Sequence, residues 1–160
     1  MKKIILSLFF AVVSMGAFAQ FEQGTKYVSA SLSGNGFGVG YSKSTDFFIG
    51  LQANAGYFFA DNWMMLGEFG WSHQNGNSNV DLGIAGRYYM KQNGLYYNLG
   101  LKYQHIPANI NNLYLSPELG YCFYLNDHVS LEPAVYVDMC LNHFKDYTKF
   151  GFKISFGYYF

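Results

Sequence analysis

The final stretch FGFKISFGYYF, residues 150–160, alternates strictly. Successive side chains of an extended chain point to opposite sides, so Phe150, Phe152, Ile154, Phe156, Tyr158 and Phe160 share one face. Gly151, Lys153, Ser155, Gly157 and Tyr159 share the other. One face is bulky and greasy, and the other is small or polar. Which of them meets the solvent decides the fold.

The same period of two recurs upstream, and no segment after Ala19 places apolar residues at helical spacing over three turns. Residues 113–125 and 129–141 are the clearest further strands. Weaker ones are predicted at 27–41, 47–59, 63–72, 80–90 and 95–105, which makes eight with the last. Within 27–41 the apolar parity changes, and Gly34-Asn35-Gly36 is where a β-bulge would absorb a residue. Three connections are tight: Ala60-Asp61-Asn62, Gln92-Asn93-Gly94 and Asn126-Asp127-His128, with Asn93-Gly94 suited to a type I′ hairpin. The other four, near 42–46, 73–79, 106–112 and 142–147, read as longer and polar. An aromatic pair precedes each tight turn (Tyr57-Phe58, Tyr88-Tyr89, Phe123-Tyr124), and Tyr158-Tyr159 precedes the last residue. These pairs are spaced by 31, 35 and 35 residues, so one hairpin unit repeats four times as an up-and-down meander.

Eight meandering strands can close into a barrel, which removes the exposed edges. A lipocalin-like soluble barrel, or an aromatic-rich soluble sandwich, would hide the apolar face. The polar face argues against both: it carries Gly50, Gly56, Gly70, Gly83, Gly100, Gly120, Gly151 and Gly157 with few charges, as a narrow eight-stranded interior requires. The chain is 21% aromatic and 12% charged, against about 25% charged in ordinary soluble domains. The expected fold is therefore all-β, an eight-stranded antiparallel up-and-down transmembrane β-barrel whose apolar face meets lipid. The aromatic pairs then read as an interfacial girdle.

Lys2 and Lys3, the apolar run from Ile4 to Val13, and Ala17-Phe18-Ala19 have the three zones of a secretory signal. Cleavage is expected between Ala19 and Gln20, leaving residues 20–160 as the barrel domain. That removes two of the ten basic residues and gives a mature net charge of −2, which argues against a nucleic-acid surface.

The inward charges predicted by parity are Glu68, Asp81, Glu118, Glu132 and Asp138 against Arg87, Lys102, Lys149 and Lys153. Confined charges must pair, with Tyr89, Tyr96, Tyr114, Tyr124 and Tyr136 as further partners, so the lumen is expected to be plugged. If Leu125 faces Val129, Cys122 lies opposite Glu132 and Cys140 opposite Tyr114, roughly 26 Å apart along the strands. No disulfide can span that distance. Pro117 and Pro133 each remove a ladder donor in mid-strand.

GYFFADN at 56–62, GRYYM at 86–90, SPELGYCFYLND at 116–127 and GYYF at 157–160 resemble the small outer-membrane β-barrels of Gram-negative bacteria, the OmpA/OmpX type. The resemblance implies location in the outer membrane with both termini periplasmic, and transit with periplasmic chaperones. It also implies that the barrel-assembly machinery reads an aromatic C-terminal signal, here Phe156, Tyr158 and Phe160. It does not choose a function. The favoured reading is a non-enzymatic structural or surface-interaction protein, and the short loops offer little surface for an adhesin. A strand extending past the bilayer near Phe37 to Tyr41 could recruit a partner by strand addition.

The alternatives are a lipid A deacylase or acyltransferase, or a small-solute channel. A hydrolase needs a nucleophile, a base and an orienting acid at the rim. Ser72, His73 and Glu68 lie near one rim, but Ser72 and His73 point to opposite faces, His105 and His143 lack a serine partner, and the deacylase His-x-Ser pattern is absent. No histidine pair has metal-ligand spacing, and no cofactor is expected.

Overall fold

The computed structural model describes residues 21–34, 48–74, 77–90, 93–106, 110–142 and 148–160. Among the described residues nine strand segments follow one another: β1 (Lys26–Gly34), β2 (Phe48–Ala60), β3 (Trp63–Gln74), β4 (Asn77–Tyr89), β5 (Leu95–Ile106), β6 (Ile110–Tyr121), β7 (Phe123–Tyr124), β8 (Val129–Cys140) and β9 (Lys149–Tyr159). β6 and β7 are one stave interrupted at Cys122, and both pair with β8. Each stave is antiparallel to the next, and β9 returns to β1 with Tyr27 opposite Tyr159 and Ser33 opposite Lys153. The result is a closed eight-stranded barrel. Phe160 prolongs the closing seam, since its N–H donates to Lys26 O at 3.0 Å and its O accepts from Lys26 N at 2.8 Å.

The greasy face is outside. Ile84, Met65, Leu32 and Phe156 are 58–61% exposed, whereas Arg87, Glu132 and Lys153 on the opposite parity are nearly sealed. An apolar surface that encircles the molecule is far larger than the patches tolerated in water, and it suits hydrocarbon.

Three sequence expectations need correction. The polar stretches 73–79 and 106–112 were expected as loops, yet His73 pairs with Ser78, Gln74 with Asn77 and Ile106 with Ile110. Strand pairing is a backbone property that continues past the apolar band as long as a partner strand runs alongside. The Asn93-Gly94 turn is not type I′. Only Gly94 has positive φ (85°), and Asn93 N–H donates back to Met90 O at 3.1 Å, so Asn93 contributes an ordinary turn conformation. Strand 113–125 is broken at Cys122. The expected bulge at Gly34-Asn35-Gly36, the continuation of the first strand to Tyr41, and the signal segment lie outside the described residues, apart from Gly34. Within the described residues a register shift occurs between Phe58 and Ala60.

The prolines explain the break. Leu141 N donates to Leu113 O and Leu125 N to Val129 O, both at 2.8 Å, so on the seam between β6–β7 and β8 the odd-numbered pairs carry the hydrogen bonds. By the same register Pro117 faces Val137 and Pro133 faces Tyr121, and neither proline has an N–H to give. The pairing lapses at both places, between Leu115/Met139 and Glu118/Tyr136, and between Gly120/Ala134 and Phe123/Leu131. No residue is inserted, so the gaps are lost rungs and not bulges. Amide exchange is expected to be faster along this seam than along β3–β4, and Pro133→Ala should slow it locally about fivefold, from the roughly 1 kcal/mol of one restored hydrogen bond. Unchanged exchange in Pro133→Ala, followed by NMR in micelles, would mean the gap has another cause.

Candidate functional site in the barrel lumen

Inward parity brings six strands to one point in the half of the lumen nearer the tight turns. Arg87 on β4 reaches across the barrel to Glu132 on β8, with Nη1 to Oε2 at 2.9 Å, and its guanidinium lies 4.1 Å from the Tyr96 ring centroid. Glu132 accepts three further bonds: from Tyr27 OH at 2.7 Å, Tyr159 OH at 2.8 Å and Ser130 Oγ at 2.7 Å. Glu118 pairs with Lys153 Nζ at 2.6 Å, takes Tyr96 OH at 3.2 Å, and lies 3.9 Å from Arg87 Nη2. The cluster therefore holds two acids and two bases, all nearly inaccessible to solvent. Mutual saturation of this kind is what makes buried charge tolerable.

Space for the long side chains comes from glycine. A Cβ on Gly120 would collide with the Tyr96 ring, and one on Gly151 would lie 2.5 Å from the Tyr136 hydroxyl. The narrow interior thus alternates a large residue with none.

An aromatic cork lies between this cluster and the tight turns. Phe21, ahead of β1, is fully buried and stacks on Tyr89 with centroids 3.9 Å apart, ringed by Phe58, Tyr124 and Tyr159. Backbone bonds seat the segment: Asn62 N–H donates to Phe21 O at 2.7 Å and Gly24 N–H to Phe58 O at 2.9 Å. This corrects the girdle reading. Adjacent residues of a strand face opposite ways, so each aromatic pair splits. Tyr57 and Tyr158 stay on the outer rim, where Trp63 also packs 4.7 Å from Tyr88, while Phe58, Tyr89, Tyr124 and Tyr159 turn inward around Phe21.

Toward the loops the lumen holds a second cluster. Lys102 Nζ contacts Asp138 Oδ1 at 3.2 Å, and Ser116 Oγ donates to the same oxygen at 2.5 Å. Tyr114 OH donates to Gln104 Oε1 at 3.1 Å. Beside them is a cavity lined by Glu68, Asp81, Gln104 and Tyr136 among others, with room for about five water molecules. The predicted charges are thus divided: Arg87, Glu118, Glu132 and Lys153 meet in one group, Lys102 and Asp138 in another, and Glu68 and Asp81 stand at the cavity. Lys149 is placed only by register, opposite Asp138.

Cys140 lies opposite Tyr114, and both cysteines are free and buried, with Cys122 Sγ 3.5 Å from Tyr159 OH. His105, weighed as a catalytic base, is on the outer face with Nδ1 2.9 Å from Asn111 Oδ1. His143 lies outside the described residues. The alternation of the last strand sets Tyr159 on its polar face, but neither its bond to Glu132 nor that of Tyr27 was legible in the sequence. Phe21 carried no signal, because it belongs to no strand pattern.

This fold and its charge-filled lumen define the chain as a closed eight-stranded β-barrel with the architecture of the small outer-membrane barrels of the OmpA/OmpX type. It is similar to the N-terminal β-barrel domain of Pseudomonas aeruginosa OprF, with a TM-score of 0.68 and 14% identity over 86% of this chain and 98% of that one. It is also similar to Neisserial surface protein A, with a TM-score of 0.60 and 12% identity over 85% and 96% of the two chains. For the Yersinia pestis outer membrane protein Ail the values are 0.58 and 12% over 86% and 100%. At these identities the likeness establishes the fold. No protein-family model matches the sequence, and no curated protein does.

Proposed function

We propose that this chain is a non-enzymatic integral protein of a Gram-negative outer membrane, with a structural or surface-interaction role in the envelope and a lumen that does not conduct. The observation that carries this reading is the closed cross-section at Arg87 and Glu132, capped by Phe21 on the turn side. The outward band of aliphatic and aromatic side chains supplies the contact with outer-membrane lipids.

In this reading residues 1–19 are a signal peptide removed between Ala19 and Gln20, and both termini face the periplasm. Chaperones carry the chain there, and Phe156, Tyr158 and Phe160 present the lipid-facing aromatic edge to the assembly machinery. The likeness to outer-membrane barrels supports the location, and the ring of outer aromatics at the turn end supports an interface there.

The test is electrical. Purified barrel inserted into planar bilayers is expected to give no sustained single-channel current at ±100 mV, and stable openings would overturn the plugged lumen.

A further inference from the structure

The loop-side gap in the seam between β6 and β8 is spanned by side chains. Register sets Pro117 opposite Val137 and Ser116 opposite Asp138, and neither pair closes a rung, whereas Leu115/Met139 and Glu118/Tyr136 on either side do. Pro117 has no N–H for the Val137 carbonyl, and a carbonyl without a donor is costly at membrane depth. The hairpins flanking the gap are intact. β5 and β6 pair without interruption from Leu95/Tyr121 to Ile106/Ile110, and β8 and β9 from Val129/Tyr158 to Asp138/Lys149. The gap therefore divides two continuous two-stranded units.

What crosses the gap is Asp138. Its Oδ1, on β8, accepts from Ser116 Oγ on β6 at 2.5 Å and from Lys102 Nζ on β5 at 3.2 Å. Both donors belong to the β5–β6 unit and the acceptor to the β8–β9 unit, so one carboxylate oxygen ties the two together beside the missing rung. Lys102 Nζ also stands 5.4 Å from the ring centroid of Tyr136 on β8. The next tie, Glu118 on β6 to Lys153 on β9 at 2.6 Å, already lies where the ladder has resumed. A charge-assisted hydrogen bond is stronger than a neutral one, so the Asp138 tie offsets the backbone bond that Pro117 withholds.

We propose that Ser116, Lys102 and Asp138 form a clasp on a releasable seam. With the clasp closed the barrel wall is continuous. With it open, the β5–β6 and β8–β9 units part at Pro117 while each keeps its own ladder. Lys102 and Asp138 also line the loop-side cavity, so the parting leads sideways from that part of the lumen to the lipid. The ion-paired cross-section at Arg87 and Glu132 lies nearer the tight turns and stays closed. Such an opening is a local excursion below global unfolding, which amide exchange resolves residue by residue.

The test follows amide exchange by NMR on the whole mature barrel in micelles, reading Leu115, Leu119, Val135 and Met139 beside the gap against the amides of β3 and β4. Ser116→Ala leaves the Lys102–Asp138 ion pair in place and should speed the gap amides about tenfold, as for the loss of one bond to a charged group, with β3 and β4 unchanged. Pro117→Ala restores the withheld N–H. On that background Ser116→Ala should speed the gap amides only about twofold, because the two ties hold the same seam. Cys140, fully buried and opposite Tyr114, gives a second readout, since its reaction with a water-soluble maleimide should follow the same order of variants. Unchanged exchange in Ser116→Ala overturns the clasp. So does an effect of equal size at the gap and in β3 and β4, which is general destabilisation, and so does a full effect that persists with Pro117→Ala. If Ser116→Ala does not fold alone, recovery of folding on the Pro117→Ala background supports the clasp and continued failure overturns it.

Discussion

Replacing Arg87 with methionine is expected to lower the unfolding free energy of the barrel by about 3–5 kcal/mol, the range for breaking a buried ion pair from one side. Arg87 is the group that reaches Glu132 at 2.9 Å and Glu118 at 3.9 Å together. Without it Glu132 keeps the Tyr27, Tyr159 and Ser130 hydroxyls but loses its ion-pair partner, and Glu118 is left with Lys153 and the Tyr96 hydroxyl. Urea unfolding in micelles measures the loss. Adding Glu132→Gln should return more than half of it, because the neutral amide no longer needs a countercharge, and the double-mutant cycle reads the coupling directly. A loss below about 1 kcal/mol in Arg87→Met would show that the tyrosines alone hold the carboxylates.

Phe21→Ala is expected to cost about 3–5 kcal/mol, as for other large aromatics removed from a packed core. The ring has lost all contact with solvent, and its stacking on Tyr89 links it to the Arg87 cluster. Phe21→Leu should recover most of the loss, since a branched aliphatic side chain still fills much of the space. Neither variant should conduct, because the ion-paired cross-section remains. If Phe21→Ala unfolds like wild type, the segment is seated by its backbone bonds alone, notably Asn62 N–H to Phe21 O and Gln23 N–H to Asp61 Oδ1. The Phe21 and Arg87 substitutions share Tyr89 as a neighbour, so their combined cost should differ from the sum of the two.

Both residues mark the limit of what the strand pattern conveys. Arg87 was legible as inward, since it shares the parity of Ala85 and Tyr89, but its partner was not. Glu132 lies on β8, which is not adjacent to β4 in the ring, and the two meet only across the lumen. The break at Cys122 was half legible. Each proline announced a lost donor, but only pairing showed that Pro117 and Pro133 empty the same seam. Polar strand ends such as Gln74 and Asn77 read as loop because side-chain alternation fades beyond the apolar band while the backbone ladder continues.

By itself the sequence determined which face of each strand meets lipid, how many staves there are, and the hairpin register that keeps Cys122 and Cys140 apart. These follow from the two-residue period of the extended backbone and from tight turns that fix pairing locally. Only the tertiary structure decided which charges touch, that Phe21 corks the turn end, and that Glu68 Oε2 lies against Gly83. The reason is geometric: a contact across the lumen depends on the stagger and tilt summed around the closed ring, and no single strand encodes that sum.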